Sequence, residues 1–209
     1  MGHDFFRQPI TAMTASQLAR RRRLTDAVIE LVSESGPENL QMREVAERSG
    51  VALGTTYRYF ASKEHLVAAA WAEWHRRLTE RVMADLEKSP RRPAREAEDG
   101  GVCERVLAFV KRELRSFQRN PHFARLAVQL EASSDPFVSE TLVGLGEENQ
   151  RVMHALMAGV PPEVARPAVV AISATLDSGL TAWTSGRTTA TAVMRNLEEV
   201  TRLVLRDYR

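Results

Sequence analysis

The chain has 209 residues, 44% of them hydrophobic and 27% charged, with a formal net charge of +2. That composition supplies one large or two small cores and excludes a disordered tail or a fibre, while so small a net charge neither identifies nor excludes a nucleic-acid partner. The lone Cys103 excludes an intrachain disulfide, argues against a thiolate zinc site and points to the reducing cytoplasm.

In chain order, residues 1–15 mix His3, Asp4, Arg7 and Pro9 with the aromatic pair Phe5 and Phe6. They lack the apolar core of a signal peptide and are read as a flexible arm. A first helix is predicted from Ser16, with Leu24, Ala27, Val28, Leu31 and Val32 at the spacing of an amphipathic stripe, ended by Gly36-Pro37. Arg20–Arg23 form a run that cannot all face one way on a helix. Beside a DNA-binding element, Arg22 and Arg23 are candidates for phosphate or minor-groove contact; without one, the run is a solvated helix entry.

Residues 41–60, QMREVAERSGVALGTTYRYF, read as a helix-turn-helix. Ala46 is small where two helices would cross, and Gly50 is free to take positive φ at the sharp turn before Val51. The second helix then offers hydroxyls, a guanidinium and phenols, the donors that meet phosphates and base edges in the major groove. The candidate DNA contacts are Arg22, Arg23, Gln41, Arg43, Leu53, Gly54, Thr55, Tyr57, Arg58, Tyr59 and Lys63. Ser62 is placed to cap the next helix, and Lys63 beside that first turn would make a phosphate site of backbone N–H groups and an ammonium.

A long helix is predicted from Glu64 through Leu66, Val67, Ala70, Trp71, Trp74, Leu78, Val82 and Leu86. Ser89 to Gly101 has prolines, glycines and charges but no sustained apolar pattern, and is predicted to be a loop. Helices follow over 102–119, 123–132, 137–157 and 162–184, and Pro167 implies a late start or a bent first turn in the last of these. Val193, Leu197, Val200 and Val204 mark a final stripe. No segment reaches the ~20 continuous apolar residues needed to span a bilayer, no strand alternation or repeat stands out, and the expected class is all-α.

Motifs for catalysis are absent. His3, His65, His75, His122 and His154 are scattered without HExxH spacing, Ser178-Gly179 lacks the glycines of a nucleophile elbow, and Gly144-Leu-Gly146 lacks a third glycine. Adjacent carboxylates such as Glu147-Glu148 and Glu198-Glu199 read as solvated faces. The chain is expected to be no enzyme and to hold no metal or cofactor.

The stretch VAERSGVALGTTYRYFASKEHL, following Gln41 and ending at Leu66, resembles the DNA-binding head of the TetR family of one-component repressors. The helix-turn-helix, YRYF and SKEHL occur in family order without gaps. Two positions depart from the wider pattern: Ala52 replaces a hydroxyl cap of the recognition helix, and Thr56 stands where an apolar residue usually packs, which implies that it belongs to the core rather than to the DNA-facing set. Gln41 likewise replaces a hydroxyl cap. The words ARRRRLTDA, QRNP at 118–121 and LTAW at 180–183 are similar to the KstR-like group, which represses cholesterol and lipid catabolism.

The resemblance implies a three-helix DNA-binding domain over 16–62 and a helical ligand-binding and dimerisation domain over 63–209. It also implies a homodimer bound to a palindromic double-stranded DNA operator and released by a hydrophobic small molecule, a steroid or fatty acyl thioester of coenzyme A, with Arg112, Arg115 or Arg119 meeting its phosphates. Trp71, Trp74, Phe109, Phe117, Phe123, Leu126, Leu130, Met153, Met157, Leu176 and Trp183 are the candidate pocket, although each residue type taken singly is more often ordinary core. Ile172, Leu176, Gly179, Leu180, Val193, Leu197, Val200 and Val204 are the candidate dimer interface, although their periodicity suits burial within one subunit as well. A same-fold activator or ligand-independent regulator, and a helical interaction module without specific DNA binding, are the alternative functions.

Overall fold

The computed structural model describes residues 5–7, 10–88 and 101–208, and the described residues are helical, with no strand. They divide into two compact units, one comprising residues up to His75 with Gln129–Val143, the other Arg76–Val128 with Gly144–Arg209. The unit that carries the helix-turn-helix thus extends beyond residue 62 and takes in a segment distant in sequence.

In the first unit, α1 (Ala15–Ser35) starts one residue before the expected Ser16 because Thr14 and Gln17 form a reciprocal capping box. Thr14 Oγ1 accepts the Gln17 N–H at 3.3 Å, and Gln17 Oε1 accepts the Thr14 N–H at 2.7 Å. The predicted stripe faces inward, with Leu24, Val28 and Val32 inaccessible to solvent. Gly36, at φ 83°, ends the helix. Then come α2 (Met42–Ser49), α3 (Leu53–Tyr59) and the first half of α4 (Lys63–Lys88). The expectation of a free arm over 1–15 does not survive for Phe5 and Phe6. They sit in a 3-10 turn, Phe5–Arg7, and their rings pack on Tyr59 and Phe137.

The second unit contains the rest of α4, α5 (Val102–Arg119), most of α6 (Pro121–Glu131) and of α7 (Pro136–Leu156), α8 (Pro162–Thr184) and α9 (Ala190–Val204). The bounds of α5 and α8 are those predicted. Helices α6 and α7 each begin one or two residues early, at Pro121 and Pro136, where a ring with fixed φ and no N–H suits the first turn. Pro167 lies inside α8 without delaying its start. The predicted loop over 89–101 lies outside the described residues except for Gly101, which precedes α5.

Ion pairs from Lys111 to Glu198 (3.1 Å) and from Glu104 to Arg202 (3.3 Å) join α5 to α9. Between α8 and α9 the approach is close: a Cβ added to Gly179 would lie 2.5 Å from Val193 Cγ1. Burial within the chain corrects the expected dimer surface at four of its eight residues. Ile172, Leu180, Val193 and Leu197 are buried within one chain, each at most 4% exposed. Leu176, Gly179, Val200 and Val204 are only partly exposed. Part of the periodicity thus marked residues buried within the chain, and the faces still open on α8 and α9 carry Val170 and Leu203, 65% and 67% exposed.

Candidate nucleic-acid interface

The turn between α2 and α3 has the geometry its residues dictate. Gly50 takes φ 63°, ψ 27°, a left-handed conformation that costs an L side chain energy and glycine little. The Val51 N–H returns to the Ala46 carbonyl at 3.2 Å, and Val51 is buried. Neither Gln41 nor Ala52 caps its helix through a side chain, as their types predicted.

Helix α3 sorts its side chains by rotation. Thr56 and Tyr59, three residues apart, share the inward face and are both 0% exposed, whereas Tyr57 is 45% exposed. Tyr59 is therefore withdrawn as a DNA contact, and the burial of Thr56 agrees with its assignment to the core. The three-residue interval was the signal that separated the two tyrosines. Gly54 is exposed, and apart from its own helix's backbone and its chain neighbours no atom of the described residues stands within 4 Å of where its Cβ would be. Internal packing does not require a glycine there, while close approach of a partner backbone would. Thr55, Leu53 and Arg58 are partly exposed, and Gln41 and Arg43 are exposed around α2.

The arginine run divides as a helix demands. Arg22 and Arg23 are exposed. Arg21 turns inward, donating from Nη1 to the Tyr59 carbonyl at 3.4 Å, with its guanidinium carbon 4.3 Å from the centre of the Phe60 ring. Burial pulls its pKa below the usual guanidinium value. On α2, Arg48 makes a two-pronged contact with Glu34 of α1 at 2.9 and 3.0 Å and also reaches Glu30 at 3.2 Å. Hydrogen bonds to these carboxylates raise the Arg48 pKa, and the same fork lowers that of Glu34.

The start of α4 is anchored on several sides. The Ser62 hydroxyl accepts the His65 N–H at 2.9 Å, as its capping role predicted, and donates to Asp135 Oδ2 at 2.9 Å. Asp135 Oδ1 accepts the N–H groups of Phe137 (2.8 Å) and Val138 (3.2 Å), capping α7. Desolvation pushes this carboxyl up, but the bonds from Ser62 and from those N–H groups outweigh it and hold its pKa low. The His65 ring stacks on Phe137 at 4.7 Å and meets Phe60 edge-on at 5.2 Å. Its Nδ1 accepts the Ala61 N–H at 3.2 Å. Burial, then repulsion from Arg21, lowers its pKa to about 4, against the pull of Asp135. Lys63 donates from Nζ to the Leu40 carbonyl at 2.6 Å and remains partly exposed.

Phe5, Phe6, Arg21, His65, Asp135 and Phe137 are supports of this site that the sequence reading did not assign to it. Asp135-Pro136 was legible as a helix start; its meeting with Ser62, 73 residues away, was not.

Of the pocket candidates, Trp71, Trp74, Phe109, Phe117, Phe123, Leu126, Leu130, Met153 and Met157 are buried, whereas Leu176 and Trp183 are partly exposed. No helix among the described residues is long and apolar enough to cross a membrane, and those residues contain no cluster of three metal-ligating side chains.

A sharp glycine turn followed by a short helix with Gly54, Thr55 and Tyr57 turned outward defines the class: a helix-turn-helix DNA-binding protein. Comparison with known proteins places it more narrowly. Residues 24–70 match the model of the bacterial regulatory proteins of the tetR family. The chain is 34% identical over 193 residues to the HTH-type transcriptional repressor KstR of Rhodococcus jostii (strain RHA1), covering 92% of this chain and 85% of that protein. Its fold is similar to a TetR transcriptional regulator from Rhodococcus sp. RHA1, with a TM-score of 0.70, 25% identity and coverage of 91% and 97% of the two chains. It also resembles FadR of Bacillus subtilis, solved in complex with stearoyl-CoA, with a TM-score of 0.62, 18% identity and coverage of 86% and 96% of the two chains. The chain belongs to the TetR family, as a KstR-like transcriptional regulator that binds DNA, and it is not an enzyme.

Proposed function

We propose that the protein is a cytoplasmic homodimeric repressor, released from a palindromic operator by a hydrophobic ligand of the steroid or fatty acyl-CoA class. The observation that carries the DNA-reading part is the outward face of α3, where Tyr57 is 45% exposed beside the open Gly54. Arg22, Arg23 and Arg43 supply exposed positive charge for phosphates. Two copies related by a twofold axis would read half-sites one DNA turn of about 34–36 Å apart, or a multiple of it. The open faces of α8 and α9, which carry Val170 and Leu203, are the surfaces on which we place the second copy.

The ligand class is supported by the FadR complex with stearoyl-CoA and by the likeness to KstR. Within the second unit, buried Phe109, Phe117, Phe123, Leu126, Met153 and Met157 offer apolar and adaptable walls. Release requires that the ligand bind the non-operator form more tightly; a tenfold preference shifts the balance by about 1.4 kcal/mol.

The test is affinity for the DNA upstream of the protein's own gene and its neighbours at fixed salt, with and without steroid and acyl thioesters. Tight binding relieved by one thioester class supports the full reading. Tight binding relieved by none removes the ligand class, and absence of specific binding removes the operator. Tyr57→Ala is expected to weaken specific binding about tenfold to 100-fold with the oligomeric state unchanged; equal affinity would remove Tyr57 from the reading surface.

A further inference from the structure

The segment before α1 spends its aromatic pair on the unit that carries α3. The Phe5 ring centre lies 5.0 Å from that of Tyr59, tilted by 39°. The Arg58 guanidinium carbon lies 4.6 Å from the centre of the same Phe5 ring. Phe6 meets Phe137 edge-on at 5.8 Å. Tyr59 is fully buried, yet its hydroxyl has no hydrogen-bond partner among the described residues. An unpaired buried hydroxyl opposes burial, so the ring is kept in place by what covers its faces, and Phe5 is part of that cover.

Helix α3 needs such help. It has seven residues, no side-chain cap and Gly54 in its first turn, and a helix so short is unstable without tertiary contacts. Arginine also loses much rotamer freedom when it is fixed. Stacking on an aromatic ring fixes the plane of a guanidinium through its face.

We infer that Phe5 is a positioning residue for DNA recognition: it covers Tyr59 and offers its ring face to Arg58, setting the last turn of α3 before DNA arrives. This rests on the reading of α3 as the DNA-contacting helix. It differs from an arm that itself enters a groove, because Phe5 acts through Arg58 and Tyr59 and neutralises no phosphate.

The experiment uses the full chain with Phe5→Ala, Phe5→Leu and Phe5→Trp. Affinities for operator and for unrelated duplex are measured across a salt series, and amide hydrogen exchange is measured on the free proteins. Phe5→Ala is expected to bind operator about fivefold to tenfold more weakly with an unchanged salt slope, and to exchange faster at the amides of Leu53–Tyr59. Phe5→Trp restores both properties, whereas Phe5→Leu restores protection from exchange but not affinity. Wild-type affinity in Phe5→Ala, full recovery of affinity by Phe5→Leu, or a shallower salt slope in Phe5→Ala would overturn the inference. Should the wild-type protein show no specific binding, the reading of α3 fails and the DNA role of Phe5 with it, and exchange alone decides whether Phe5 sets the last turn of α3: faster exchange in Phe5→Ala upholds that part and unchanged exchange overturns it.

Discussion

In the unit that carries α3, successive elements are tied by directional contacts: Ser62 to Asp135, Arg48 to Glu34, and Arg21 to the Tyr59 carbonyl and the Phe60 ring. In the unit that carries α8 and α9, ion pairs join α5 to α9 and Thr201 and Glu113 are buried, but most of the buried residues are apolar, among them Leu114, Phe117, Val193 and Leu197. Hydrogen bonds and ring stacks lose their energy when a partner moves or turns, whereas apolar burial is non-directional. The first kind of contact suits a surface that must present Tyr57 and Arg58 at fixed angles. The second suits a bundle whose requirement is bulk stability.

The largest expected effect lies in the apolar unit. Leu197, 0% exposed, should cost about 2–5 kcal/mol when replaced by alanine, because transfer energy and a cavity term add. Urea unfolding measures this, and a loss below 1 kcal/mol would show that α9 is not a principal source of stability.

Next comes an acid effect confined to the directional unit. An unfolded histidine titrates near 6.5, while folded His65 stays neutral down to about 4. Between those values the unfolded chain binds more protons, so stability present above pH 6.5 is lost progressively as the pH falls toward 4. Denaturation curves at several pH values should show this loss in the wild type and a flatter profile in His65→Gln. Parallel profiles would contradict the buried neutral imidazole.

The smallest effect sharpens the contrast. Asp135→Ala removes the α7 cap and the Ser62 acceptor together, and should cost about 0.5–2 kcal/mol while weakening operator binding more than Leu197→Ala does at temperatures where both variants are folded. If the two variants bind equally well, the directional contacts do not set the reading surface.

Much of this architecture was legible in the chain. The stripe Leu24, Val28 and Val32, the turn at Gly50, the Ser62 cap and the bounds of α5 and α8 follow from period, φ preference and capping chemistry, which act over a few residues. The candidate interface was legible as a segment but less so as a set of side chains. Tyr57 and Tyr59 look alike in sequence, and helix rotation leaves one outside and buries the other.

Local chemistry therefore determined the all-helical class, the helix-turn-helix and its family. Tertiary structure decided which faces are spent within the chain: that Ile172, Leu180, Val193 and Leu197 are buried in it, and that Phe5 lies on Tyr59. The physical reason is that an apolar stripe specifies burial without specifying a partner. The partner is set by contacts between residues far apart in sequence, as Ser62 and Asp135 are, and no local preference encodes such a meeting.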